Sequence, residues 1–362
     1  MRLHIFNPEH DIALSYNRRH LTMPHVVQEL RMNLGWIPAL WAADGDVVLV
    51  DDVAYAVKAS SRHAALAHDV LFLEKHELRG MSFQQICPWG WDVTLCTMLS
   101  EAGIPDTLLP SAADLYMMRH LSNRLHTADA LGRLREGIEA DTCGQTEYVI
   151  DDRRSWELIK QWKDVVVKAP WSSSGRGVRY ISGGIVPPTT QGFINNTTRL
   201  QGGIMMEPYY NKVKDFGMEF EIHSNGETTY CGLSLFSTQN GAYTGNLIAT
   251  ENEKTEILEK YVRRELLDDI RERMKDYLTT HLRGHYVGPL GVDMMIVASD
   301  NRQGFLLHPC VEINLRRTMG HVALAITPQD GLTPQKVMRV VHDVNYQLKI
   351  SCLENNFVVP LP

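Results

Sequence analysis

The chain has 362 residues, with 36 Lys and Arg against 43 Asp and Glu, a net charge of −7, and 44% hydrophobic residues. This is enough apolar chain to bury two or three packed units, and it excludes a disordered tail or a collagenous array. No run of about 18 apolar residues occurs, and the acidic balance supplies no global field for nucleic acid or anionic lipid, so neither a membrane nor a nucleic-acid partner is expected.

In chain order, short apolar runs at Leu3 to Phe6, Val47 to Val50 and Val70 to Leu73 read as strands, with a helix over Val26 to Asn33. Strand and helix alternating in this way imply a mainly parallel sheet and an α/β unit ending near residue 110. The apolar run at the N-terminus is too short for a signal peptide, and a cytoplasmic protein is expected. The six cysteines carry no Cys-x-x-Cys spacing, which argues for reduced thiols rather than a zinc site or a disulfide scaffold. Trp91 to Ala102 is helical, Gly103-Ile104-Pro105 breaks it, and Pro110-Ser111 caps a second helical region running to about Glu139. The rest reads as α+β: a hairpin over Asp164 to Ile181, strands at Gly203 to Tyr209, Met218 to Ile222, Thr228 to Phe236, Leu290 to Ala298 and Phe305 to Ile313, and a charged helical stretch from Glu253 to about Leu282.

Three motifs carry chemistry. Val165-Val166-Val167-Lys168 ends an apolar strand in a lysine, which is costly unless it meets an anion. The loop that follows contains Ser172, Ser173, Ser174, Gly175 and Gly177, hydroxyl donors and glycines that let backbone N–H groups approach a phosphate. It is neither a Walker loop nor Gly-x-Gly-x-x-Gly. Asp215-Phe216-Gly217 imitates a protein-kinase triplet, but the kinase glycine loop and His-Arg-Asp segment are missing from their places, so a protein kinase is excluded.

The second motif is Ile204-Met205-Met206-Glu207-Pro208-Tyr209, an apolar strand ending in an acid, followed by Asp215. Such a segment can be a plain edge strand or a hinge whose backbone meets a nucleobase while Asp215 accepts from ribose hydroxyls. The third pairs Gly288 to Val297 with Phe305 to Arg316, so that Glu312, Asn314 and Arg316 alternate with apolar neighbours on one face. A turn centred on Asn301 and Arg302 puts Asp293 opposite Cys310 and diagonal to Glu312, roughly 7 Å away. Two carboxylates and an amide at that spacing suit Mg²⁺, whereas a salt-bridge ladder with Arg316 is the structural alternative.

The order of these motifs, lysine strand, glycine loop, hinge acid, ribose acid, Asp, then Glu-x-Asn, resembles the ATP-grasp superfamily of carboxylate ligases from about Ser111 to Gln329. The resemblance implies an α/β pre-domain (1–110) followed by an α+β ATP-grasp fold whose two subdomains (111–204 and 205–362) clasp the nucleotide. It implies ATP bound by Lys168, the Ser172 to Gly177 loop, a Met206-Glu207-Tyr209 hinge and Asp215. Arg119, or Arg124, would replace the family's earlier lysine. Mg²⁺, one or two ions, with Mn²⁺ as a substitute, would be held by Asp293, Glu312 and Asn314, and Lys168 and Arg316 would act on the transferred phosphoryl group.

The implied activity joins a carboxylate, on a small molecule, amino acid or peptide, to an amine or thiol through an acylphosphate. A phosphotransferase or a non-catalytic nucleotide-binding module on the same fold are the alternatives. No side-chain nucleophile is called for. On the substrate side, Asn7 to Asp11 follows the first strand at its carboxyl end, where open α/β sheets bind ligands, which makes His10 a candidate contact. Pro88 to Asp92 offers aromatic rings for packing or for a pocket wall, and Arg317 beside Arg316 offers a fork for a substrate carboxylate.

Overall fold

The computed structural model describes residues 1–172, 177–239, 242–299, 303–328 and 335–353. Four short strands, β1 (Arg2–Ile5), β2 (Val47–Leu49), β3 (Leu71–Leu73) and β4 (Gln85–Pro88), form a parallel sheet in the order β3-β2-β1-β4. Helices α1 (His10–Tyr16) and α2 (His25–Leu34) lie between β1 and β2, α3 (Val53–Ser61) lies between β2 and β3, and α4 (Val93–Glu101) follows β4. Asp52 caps α3 by accepting from Tyr55 N at 2.8 Å, and Asp92 caps α4 from Leu95 N at 2.9 Å. Both sheet faces are covered, as a parallel sheet requires. Leu3, Ile5 and Ile86 meet Leu95 and Leu99 of α4 on one side. Phe6, Val48 and Trp89 meet Trp36 and Leu40 on the other. Because the strands run the same way, the segments after β1 and β4, Asn7 to Glu9 and Trp89 to Asp92, gather at one edge.

The helical region expected from Ser111 to Glu139 is two helices, α5 (Ala112–Leu121) and α6 (Leu125–Arg135). Ser111 and Asp114 form the capping box of α5. An antiparallel sheet follows in the order β5-β8-β6-β7, from β5 (Glu147–Val149), β6 (Val165–Lys168), β7 (Val178–Ile181) and β8 (Ile204–Pro208), backed by α7 (Asp152–Trp162) and α8 (Pro188–Gln201). Strand β8 lies between β5 and β6, so it is a central strand, not the edge strand its sequence also allowed.

The largest sheet has seven antiparallel strands in the order β13-β12-β9-β10-β11-β14-β15. They are β9 (Lys212–Ile222), β10 (Thr228–Gln239), β11 (Ala242–Ile248), β12 (Gly288–Ala298), β13 (Phe305–Asn314), β14 (Lys336–His342) and β15 (Tyr346–Cys352). The charged stretch before β12 is α9 (Glu251–Glu259) and α10 (Arg264–Leu282). Alternation divides the sheet. Phe216, Phe220, Leu290, Val292 and Met294 face a core shared with Ile270, Met274 and Leu278 of α10. Asp215, Glu219, Asp293, Glu312 and Asn314 occupy the alternate positions and face the opposite side.

Helix α11 (Met319–Ala325) packs between that polar face and the N-terminal sheet, with Val322 and Ala323 against Trp36 and Trp89. Strands β14 and β15, absent from the sequence reading, return to the N-terminal unit: Met338 and Leu348 join its core, and Tyr346 N donates to Asn33 Oδ1 at 2.9 Å. Among the described residues no helix is long and apolar enough to cross a membrane.

Candidate active site

Strands β12 and β13 position the acidic residues. Near their turn the register is the expected one, Met295 opposite His308 and Ile296 opposite Leu307. Two extra residues of β13 then bulge out, so that Asp293 stands directly opposite Glu312 rather than Cys310. Pro309 lies in the bulge and has no N–H to give to the ladder. A shift of two preserves the face and brings the carboxylates closer than the expected diagonal. Asn314 Nδ2 donates to Asp293 Oδ2 at 3.1 Å.

The sequence reading missed a third carboxylate, Glu219 of β9, on the same face. Its signal was the alternation of Asp215, Gly217, Glu219 and Glu221 in a strand that begins at Lys212, six residues before the expected start. Glu219 is 3% exposed and its Oε2 lies 3.0 Å from His321 Nδ1. A Cβ on Gly291 would come 2.5 Å from Glu219 Oε2, and one on Gly320 would overlap Glu219 Oε1, so both glycines make room for this carboxylate.

Burial first, then the Glu312 and Glu219 carboxylates, push Asp293 up to about 8, while Arg316 and the Asn314 hydrogen bond pull the other way. Arg316 offsets only part of this crowding. Hard oxygen donors on two facing strands fit a divalent cation of the Mg²⁺ type. Among the described residues, though, no three His, Cys, Asp or Glu side chains are already drawn together as a cation cage.

Arg124, just before α6, explains part of that. Its guanidinium, 6% exposed, donates to Ala169 O, to Ser172 Oγ at 2.8 Å, to Ser172 O at 3.0 Å and to Glu312 Oε1 at 2.6 Å. One side chain thus ties the foot of the serine-glycine loop to the β13 glutamate. Arg119, the other arginine considered for the missing lysine, is elsewhere: it stacks 3.9 Å from the Trp171 ring centroid and donates to Leu14 O at 2.7 Å. Of the loop itself, Ser172 and Gly177 are placed, and a Cβ on Gly177 would overlap the Ser172 side chain. Ser173, Ser174 and Gly175 lie outside the described residues.

Lys168 Nζ meets Glu207 Oε2 at 2.6 Å, both side chains being at most 10% exposed. The expected hinge is shorter than its sequence suggests. Met206 is fully buried and pairs with Glu147 on one side and Val167 on the other, so its backbone is committed to the ladder. The free edge of β8 starts at Glu207. Tyr209 is exposed and meets Tyr180 edge-on at 6.2 Å. Asp215 accepts from Lys212 Nζ at 2.6 Å and Thr238 Oγ1 at 2.7 Å.

Arg316 lies two residues beyond β13 yet reaches the same side. Its Nε donates to both oxygens of Asp11, at 3.0 and 3.2 Å, and its Nη2 to Asn314 Oδ1 at 2.9 Å. Burial raises the Asp11 carboxyl, but the Arg316 guanidinium pulls it the other way and it stays below its ordinary value. Nothing in the sequence pointed to Asp11 as a partner of Arg316. Arg317, expected to offer its fork to a substrate carboxylate, points away from Arg316: its guanidinium stacks 4.8 Å from Trp41, and its N–H donates to Trp89 O at 2.8 Å. His10 does reach the site, lining a narrow cavity with Asp11, Ser172, Glu312 and Asn314.

No family model and no curated protein matches this sequence. Solved structures do resemble the fold. The biotin carboxylase domain of Hydrogenobacter thermophilus 2-oxoglutarate carboxylase, a complex with MgADP, ADP and bicarbonate, superposes with a TM-score of 0.51 at 12% identity, over 86% of this chain and 72% of that one. N5-carboxyaminoimidazole synthetase from Staphylococcus aureus, complexed with ADP, gives 0.48 at 14% identity over 94% and 82%. A protein from Archaeoglobus fulgidus, described as an ATP-grasp superfamily member, gives 0.46 at 13% identity over 98% and 100%.

Proposed function

We infer from the ATP-grasp fold, which this chain has, that it is an ATP-dependent ligase joining a carboxylate to an amine. The observation that carries the reading is Arg124, whose guanidinium binds both Ser172 at the foot of the loop and Glu312 on β13. A cation bridging the lysine-and-loop unit and the carboxylate strands suits a cleft in which a polyphosphate lies between them.

In the first step the substrate carboxylate oxygen attacks the γ-phosphorus of ATP, the bond to the bridging oxygen breaks, and ADP leaves an acylphosphate. Lys168 and Arg124 bind and neutralise the phosphate oxygens, and Arg316, held by Asp11, faces the transferred group. Asp293 and Glu312, with the Asn314 carbonyl, are the residues that would hold Mg²⁺, which supplies charge neutralisation and orientation of phosphate oxygens. The Ser172 to Gly177 loop would keep water from the hydrolysable intermediate. The amine then attacks the acyl carbon and phosphate departs.

The test is a set of small carboxylic acids and amino acids incubated with MgATP and hydroxylamine, which captures acylphosphates as hydroxamates. The expected result is donor-dependent release of ADP and phosphate together with a hydroxamate. ADP release with a phosphorylated acceptor and no free phosphate would identify a phosphotransferase instead.

A further inference from the structure

We propose that His10 is the general base that takes the proton of the acceptor amine in the second step, with Asp92 as the residue that orients it. The proposal rests on the ligase reading above. Asn7-Pro8-Glu9-His10-Asp11 and Pro88-Trp89-Gly90-Trp91-Asp92 meet at the carboxyl edge of the parallel sheet, and the pair they form is well built. His10 Nδ1 lies 3.2 Å from Asp92 Oδ2, and the two side chains are 3% and 2% exposed.

Asp92 is itself fixed. Its Oδ1 accepts from Leu95 N at 2.9 Å, and its Oδ2 accepts from Asn7 Nδ2 at 3.3 Å. Asn7 is clamped in turn, donating to Gly90 O at 2.8 Å and accepting from Gly90 N at 3.3 Å. The imidazole lies flat on Gly90, where a Cβ would come within 2.6 to 2.7 Å of its Cγ, Cδ2 and Nε2. Only glycine leaves that space.

A carboxylate held against Nδ1 places the ring proton there and leaves the Nε2 lone pair as the acceptor. Among the described residues no group bonds Nε2. The ring also belongs to the cavity that Ser172, Glu312 and Asn314 line, beside the expected acyl phosphate. The two carboxylates nearest in sequence are committed. Glu9 is paired with Arg31 at 2.8 Å. Asp11 is bound to Arg316, which makes it a poor proton acceptor.

The step balances. The amine lone pair forms the C–N bond, the acyl C–O bond breaks with its electron pair leaving on phosphate, and the N–H proton passes to His10 Nε2, from which water later removes it.

The test compares two nucleophiles in wild type, His10→Gln and Gly90→Ala, the latter chosen to push the ring off its seat. Hydroxylamine is largely unprotonated at neutral pH and captures acylphosphates without a catalyst, although it too sheds one N–H proton on acylation, whereas ammonia and amino-acid acceptors arrive as ammonium ions and must lose one proton more. General-base assistance contributes about 100-fold or more, so the ratio of amide to hydroxamate should fall by about that factor in both variants. Equal loss of both products would overturn the proposal and assign His10 to binding or to the fold, and an unaltered ratio would overturn it as well. Wild type that forms hydroxamate but no amide with ammonia or any amino acid also contradicts it. Wild type that forms no hydroxamate with any donor defeats the ligase reading itself, a result distinct from the others.

Discussion

Replacing Lys168 by Met is expected to cost about 3–5 kcal/mol of unfolding free energy, because it strands the Glu207 carboxylate in a site closed to water. The pair is short, 2.6 Å, and the other contact to Glu207 is a long one, from Thr146 Oγ1 at 3.4 Å. Urea denaturation checks the loss directly. Adding Glu207→Gln to Lys168→Met should restore most of the stability, since a neutral amide is cheaper to leave in place than a charge. Nucleotide affinity should stay low in the double variant if Lys168 meets phosphate. A stability loss below about 1 kcal/mol in the single variant would mean that the pair behaves as a solvated one.

The second large effect belongs to Asp293. Its carboxyl titrates near 8 in the cation-free protein against 3.8 in an unstructured chain. The folded pKa is raised, so this group's contribution to stability is full below about pH 4 and is lost as pH rises through about 8. With EDTA, the urea midpoint should therefore fall across this window, and Asp293→Asn should flatten the fall. Binding a divalent cation requires the carboxylate and releases its proton, so below pH 8 affinity for Mn²⁺ should drop by about tenfold per pH unit. A Mn²⁺ affinity independent of pH between 6 and 8 would place the cation elsewhere.

Much of this architecture was legible because it is local. The hairpin of β6 and β7 shows in the sequence as two apolar runs around a serine-glycine loop, and both strands lie within a residue of their expected bounds. The Glu312-x-Asn314 spacing needs no more than strand alternation to share a face. What the sequence hid is tertiary. The partners of β14 and β15 come from β11 and from the N-terminal unit, and seven-residue strands with such distant contacts leave little pattern.

The bulge at Pro309 changed the partner of Asp293 without changing its face, a detail that turn-counting could not supply. Arg316 and Arg317 lie past the end of β13, where Arg316 N donates back to Asn314 O at 2.7 Å, so tertiary packing rather than strand alternation sends one to Asp11 and the other to Trp41. The sequence favours Arg119 over Arg124 for the missing lysine, and the structure puts Arg124 there instead, because which arginine meets a loop 48 residues later is decided by packing.

Joint binding of ATP and a divalent cation in the cleft between β6 and the β12–β13 pair, as proposed, can be read from thermal unfolding of the wild-type protein with ATP in EDTA and with ATP in Mg²⁺. A ligand that binds only the folded state adds about 2.7 kcal/mol at a concentration 100 times its Kd. The expected result is a rise in Tm with ATP that grows when Mg²⁺ is supplied and shrinks in Glu312→Gln. No rise with ATP or any other purine nucleoside triphosphate, with or without Mg²⁺, would contradict it.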